Sequence, residues 1–156
     1  MRSLSVVANA TPKDYLAHIP PNPELLALQM IEKARRLWPY VERGDGVSKE
    51  PNYEFLFVGP GAGLIVQTLL DQGHRAYGLE TSRRGIASGP EVTRSYIKWS
   101  LPWELPFTSL QGEVPTPIKQ FHIAIINKYL REVLTADEWQ AALKEIKKVS
   151  RYVYAI

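Results

Sequence analysis

The chain has 156 residues, of which 45% are apolar and 22% charged, enough for one domain with a buried core. No run of about 18 apolar residues exists, so no membrane-spanning helix is expected, and the lack of cysteine excludes disulfides and thiolate metal sites and fits a reducing, cytoplasmic compartment. The net charge of +3 reads as a solvated surface rather than a nucleic-acid interface.

Residues 1–21 read as an irregular N-terminal segment running into "HIPPNP", and the opening "MRSLSVVANATPKDY" carries too little charge and apolar length for a signal peptide. Asn22 can cap a helix and Pro23 suits its first turn. Leu26, Met30, Ala34, Leu37 and Val41 recur at helical spacing, which predicts a leading helix over 22–43, broken by "RGDGVSKEPN". "YEFLFV" is a short apolar run bounded by turn residues, as expected of a strand covered on both faces. A helix over 62–72 follows, with Leu64, Thr68 and Leu69 at helical spacing, Val66 and Leu70 beside them, and Gly73 as a stop signal.

"RAYGLE" is the second predicted strand and "SYIKW" the third, with room between them for only a short, weak helix over 83–90. "SLPWELPFTSLQGEVPTPIKQ" reads as a long loop with four prolines, a length that is uncommon without a functional reason. "FHIAII" is the fourth strand. Thr135 and Glu138 form a T-x-x-E capping box for a helix whose apolar face is Trp139, Ala142, Leu143, Ile146 and Val149. "RYVYAI" is the fifth strand. Strands alternating with helices predict a single α/β domain with a parallel sheet. The three histidines, His18, His74 and His122, lie too far apart in sequence to suggest a metal centre.

In such sheets ligands bind beyond the carboxyl ends of the strands, and the turn after the first strand is the usual place. Here that turn carries Gly59, Gly61 and Gly63. Glycine lets the backbone bend sharply and approach a ligand, and the helix N-terminus that follows presents free N–H groups. Glu80 closes the second strand, where a carboxylate can accept both hydrogen bonds of a ribose diol. The pattern therefore predicts a nucleoside-containing cofactor. The dinucleotide spacing G-x-G-x-x-G is not met, because the sixth position is Leu64 counting from Gly59 and Val66 counting from Gly61; a nicotinamide dehydrogenase is accordingly disfavoured.

The spacing that is present, G-x-G-x-G, resembles the first motif of the class I S-adenosylmethionine-dependent methyltransferases. "LPF" at 105–107 is similar to a tripeptide found after the third strand in that family, and "FHIAIINKYLREVLTADEWQAALKEIKKVSRYVYAI" resembles the family's stretch from fourth to fifth strand. The resemblance covers residues 50–156. It implies a Rossmann-like, doubly wound, mainly parallel five-stranded sheet in the order 3-2-1-4-5. It also implies S-adenosyl-L-methionine as cofactor, with Gly59, Pro60, Gly61, Ala62 and Gly63 around its amino-acid end and Glu80 and Thr81 at the ribose. Ser100 and Leu101 fall near the adenine, and Asn127 at the end of the fourth strand.

Three features depart from the family. Phe57 stands where an acidic residue usually precedes the first glycine. The acid after the third strand would align near Leu101, flanked by Ser100 and Glu104, so that Trp99 and Trp103 are available to stack on an adenine or simply to pack at the sheet edge. The family's C-terminal hairpin has no counterpart before Ile156, which predicts that the edge of strand five is covered by a second copy of the chain, by a partner subunit or by the N-terminal segment.

No Asn-Pro-Pro-Tyr motif follows the fourth strand, which argues against base or glutamine amino groups as acceptors and leaves a small molecule as the expected one. No catalytic residue is singled out. Tyr129 and Glu132 read as surface residues of the next helix, His122 as the start of the fourth strand away from the site, and Arg83 and Arg84 as a solvated turn. The leading reading is a methyltransferase; the alternative is an inactive methyltransferase-like cofactor-binding module serving a larger assembly.

Overall fold

A computed structural model describes residues 19–39, 41–42, 48–49, 52–80, 96–99, 108–111, 114–117 and 121–156. The strands of its main sheet are β1 (Glu54–Val58), β2 (Arg75–Glu80), β3 (Ile97–Trp99), β4 (Phe121–Ile126) and β5 (Ser150–Ala155), and its helices are α1 (Pro23–Leu37), α2 (Ala62–Asp71), α3 (Tyr129–Val133) and α4 (Ala136–Val149). Four strands form a parallel sheet in the spatial order β2-β1-β4-β5, and the three-residue β3 lies outside β2, also parallel. The α/β class and the parallel sheet expected from the alternation are thus present.

Strand alternation explains why both faces are covered. On β1, Phe55 and Phe57 point to one side and join Ile123 and Ile125 of β4, Ala27, Met30 and Ile31 of α1, and Ile65, Val66 and Leu69 of α2. Leu56 and Val58 point to the other, with Ala124 and Ile126 of β4, Leu130 and Val133 of α3, and Ile146 and Val149 of α4. Each fully buried Val, Leu, Ile, Phe or Met side chain among these contributes about 1.5–3 kcal/mol, so β1 and β4, apolar on both faces, are the centre of the molecule.

Local signals set the helix ends. The Asn22 side chain accepts from the Leu25 N–H at 3.0 Å, with Pro23 as first helical residue. The Thr135–Glu138 capping box closes at both ends, at 3.1 and 2.8 Å. Gly73, at φ +86°, ends α2 in a Schellman arrangement: the His74 N–H donates to the Leu69 carbonyl at 3.1 Å and the Gly73 N–H to that of Leu70 at 2.9 Å.

Several expectations are corrected. α1 stops at Leu37 instead of reaching 43, and Val41 sits in a two-residue antiparallel ladder opposite Lys49. Pro39 is the reason: it pushes Trp38 out of the helical region, to φ −131° and ψ 81°. Leu64, expected on the apolar face of α2, is 38% exposed, and Ile65 takes its place in the core. The proline-rich loop is not structureless, since Thr108–Gln111 pairs antiparallel with Val114–Pro117. Pro115 and Pro117 are two residues apart, so both missing N–H groups fall on the same edge of that ladder. The expected helix over 83–90 lies outside the described residues. Among the described residues no helix is long and apolar enough to cross a membrane, and no group of side chains is suited to a metal ion.

The amino end of the sheet is held by two histidines that converge on Tyr53. The Tyr53 N–H donates to His74 Nδ1 at 3.3 Å and the Glu54 N–H to His122 Nδ1 at 3.0 Å, while the Tyr53 hydroxyl donates to the Trp38 carbonyl at 2.6 Å. His122 can accept only while that nitrogen is unprotonated. Burial, then the positive charge of Arg151, lowers its pKa below the ordinary 6.5, with His74 adding to the shift and Glu54 opposing it. A group with a lowered folded pKa stabilises the fold above its unfolded value, and that contribution is lost as pH falls through the folded value. Resistance to urea is therefore expected to decline once pH drops below about 6.5, and His122→Gln, which keeps an acceptor but cannot titrate, should flatten that decline. Urea midpoints of both proteins across this pH range provide the check.

Candidate functional site

The carboxyl ends of β2, β1, β4 and β5 meet at one edge of the sheet, and the turn after β1 lies in the middle of it. Gly59 is at φ +114° and Gly61, the N-cap of α2, at φ +92°. Both conformations favour glycine. A hydrogen bond from the Gly59 N–H to the Leu79 carbonyl, 2.8 Å, ties the turn to β2 one residue before Glu80. Glu80 is buried, at 1% exposure. Burying a carboxylate is costly unless it is compensated by hydrogen bonds or charge, so its position at the ligand-binding edge of the sheet is informative.

Asn127 ties the same turn to β4. Its N–H donates to the Val58 carbonyl at 2.8 Å, its Nδ2 to the Pro60 carbonyl at 2.9 Å, and its Oδ1 accepts from the Tyr129 N–H at 3.0 Å. A Cβ added at Gly59 would lie 2.8 Å from Asn127 Cβ, so only glycine permits this approach. The structure thus brings Gly59, Pro60, Gly61, Ala62, Gly63, Glu80 and Asn127 to one edge, all of them buried. Thr81, Ser100 and Leu101 lie outside the described residues, as do Arg83, Arg84, Trp103 and "LPF". The backbone of Trp99 pairs with Glu80.

Two residues escaped the sequence reading. Gly78 lets α2 approach the sheet: a Cβ there would lie 2.5 Å from Ile97 Cδ1 and 2.8 Å from Ala62 Cβ. A glycine inside an otherwise apolar strand is the signal that marks such a close approach. Tyr129 is buried rather than a surface residue, whereas Glu132 is exposed as expected. Beside Asn127 a cavity of about 370 Å³ opens to solvent, lined by Lys128, Tyr129, Glu132 and Ile156 and, on its other side, by Ile19, Pro20 and Pro21. The same N-terminal residues reach the glycine turn: a Cβ at Gly61 would meet Pro20 Cδ at 2.8 Å and Ile19 Cγ2 at 3.3 Å.

A glycine turn between the first strand and its helix, a buried acid ending the second strand and helices on both faces of a parallel sheet make an open α/β fold with its ligand edge at the carboxyl ends of the strands. Among solved structures the chain is similar to the CcbJ methyltransferase from Streptomyces caelestis, with a TM-score of 0.52 and 16% identity over 96% of this chain and 51% of that one. The likeness is one of fold, and the chain spans about half the length of that protein. No protein-family model and no curated protein matches the sequence.

Asn127→Ala removes the donor to Pro60 and the acceptor for Tyr129 while keeping the Cβ. A buried polar group left unsatisfied costs about 1–3 kcal/mol. The variant should lose stability in that range in urea unfolding, and loss well below it would mean that the turn is held by packing alone.

Proposed function

We propose that the protein is an S-adenosylmethionine-dependent methyltransferase with a Rossmann-like, doubly wound domain and a small-molecule acceptor. The observation that carries this reading is Glu80: a carboxylate 1% exposed, at the carboxyl end of β2, directly after the residue bonded to the glycine turn. The residues present suit the cofactor at both ends. Glu80 would accept from the ribose hydroxyls, and the turn Gly59–Gly63, with the first N–H groups of α2, would take the carboxylate of the amino-acid end. At one point they disagree with it, because Ile19 and Pro20 lie on Gly61.

When bound, the cofactor supplies an electrophilic methyl group, and its transfer to a nucleophilic acceptor depends on placement more than on acid–base help. The cavity beside Asn127 suits the acceptor. Its size fits a small molecule, the exposed Lys128 and Glu132 offer one charge of each sign for orienting a polar group, and Tyr129 and Ile156 offer apolar contact.

Calorimetric titration with S-adenosylmethionine, S-adenosylhomocysteine and NAD tests this reading. The first two are expected to bind and NAD is not. Glu80→Ala should weaken binding by about tenfold or more, since a hydrogen bond to a charged group contributes about 1.5–3 kcal/mol. Binding of NAD alone, or affinity for S-adenosylmethionine unchanged in the Glu80 variant, would contradict it.

A further inference from the structure

The surface that Gly61 leaves open is already occupied. Glycine at φ +92° exposes a backbone face that any side chain would obstruct, and on that face Pro20 Cδ and Ile19 Cγ2 stand 2.8 and 3.3 Å from the position a Cβ would take. A ligand approaching the turn at Gly61 would need the same space. The covering segment is stiff, because prolines at 20 and 21 fix φ and hold the residue before each in an extended conformation. It lies at the surface: Ile19 and Pro20 are half-buried and Pro21 is exposed. Immediately after it, Asn22 caps α1, which is anchored in the core through Ala27, Met30, Ile31 and Ala34. The helix is thus held by its cap and its core contacts, none of which involves Ile19, Pro20 or Pro21.

We propose that Ile19–Pro21 is a displaceable strap that excludes ligand from the glycine turn at Gly61 and must swing away before the turn can be occupied. The strap also forms one wall of the cavity bounded by Asn127, Lys128, Tyr129, Glu132 and Ile156. Its departure joins the Gly61 surface to that cavity, so donor and acceptor sites become one cleft in a single movement. The identity of the ligand rests on the cofactor reading above; the existence of the strap does not.

The test uses the full chain carrying Ile19→Gly and Pro20→Gly together, and in parallel the milder Pro20→Ala, which removes Cδ. Two readouts are needed. Hydrogen exchange at Ala62 and Gly63, first-turn amides without an intrahelical acceptor, reports the cover directly. Titration with S-adenosylhomocysteine reports access. If the open form is about one molecule in ten, removing the strap should raise the apparent affinity about tenfold. Faster exchange at both amides together with tighter binding is the expected result. Faster exchange with no binding in any of the proteins supports the strap and overturns the cofactor assignment instead. Unchanged exchange and affinity overturns the strap, and so does weaker binding in the variants, which would make Ile19–Pro20 part of the bound site.

Discussion

The hydrogen bond from the Gly59 N–H to the Leu79 carbonyl, 2.8 Å, is the constraint on which the functional edge depends. It is the last rung of the parallel β1–β2 ladder, beyond the Val58–Leu79 pair; the chain enters the positive-φ region at Gly59 directly after it, and Asn127 fixes the same turn from the opposite side through the Pro60 carbonyl. Each bond contributes about 0.5–1.5 kcal/mol net, which is modest. Their directional effect is larger, because they set the ends of β2, β1 and β4 in register around one backbone bend. Glu80 follows Leu79 in the chain, so the rung that ends the β1–β2 ladder also places the carboxylate beside the turn.

The two ends of the sheet are built on different terms. At the amino end, His74 and His122 accept backbone N–H groups and pack against the Tyr53 ring, His122 edge-on and His74 tilted, while the Tyr53 hydroxyl reaches the end of α1. Packing and hydrogen bonding there serve the fold. At the carboxyl end the polar groups serve a turn that two glycines keep clear of side chains, and what covers it is a half-buried pair, Ile19 and Pro20. On the proposed reading the turn must admit a ligand, and half-buried surface residues are a cheaper cover to open than core side chains.

Much of this was legible in the residues. "YEFLFV", "RAYGLE" and "FHIAII" are strands because apolar runs that short, bounded by turn residues, suit a sheet buried on both sides. The caps at Asn22 and Thr135 and the stop at Gly73 act through bonds within a few residues, the range at which sequence patterns carry information. The glycine turn was legible for the same reason, since the positive φ at Gly59 and Gly61 is a local demand. The buried face of α2 was not, since Leu64, Ile65, Val66, Leu69 and Leu70 surround the helix and periodicity cannot choose among them; Gly78 opposite Ala62 decides it. The end of α1 depends on a single proline against a continuing apolar pattern. The burial of Tyr129 and the contact of Pro20 with Gly61 are set by approaches between segments far apart in the chain, for which no local pattern exists.

A crystal structure of the chain with S-adenosylhomocysteine tests the central claim most directly. The expected result is a ligand whose ribose hydroxyls donate to Glu80, with the Gly59–Gly63 backbone against its amino-acid end and Ile19–Pro21 moved off Gly61. A ligand bound elsewhere, or a crystal saturated with ligand in which Pro20 still rests on Gly61, would contradict it.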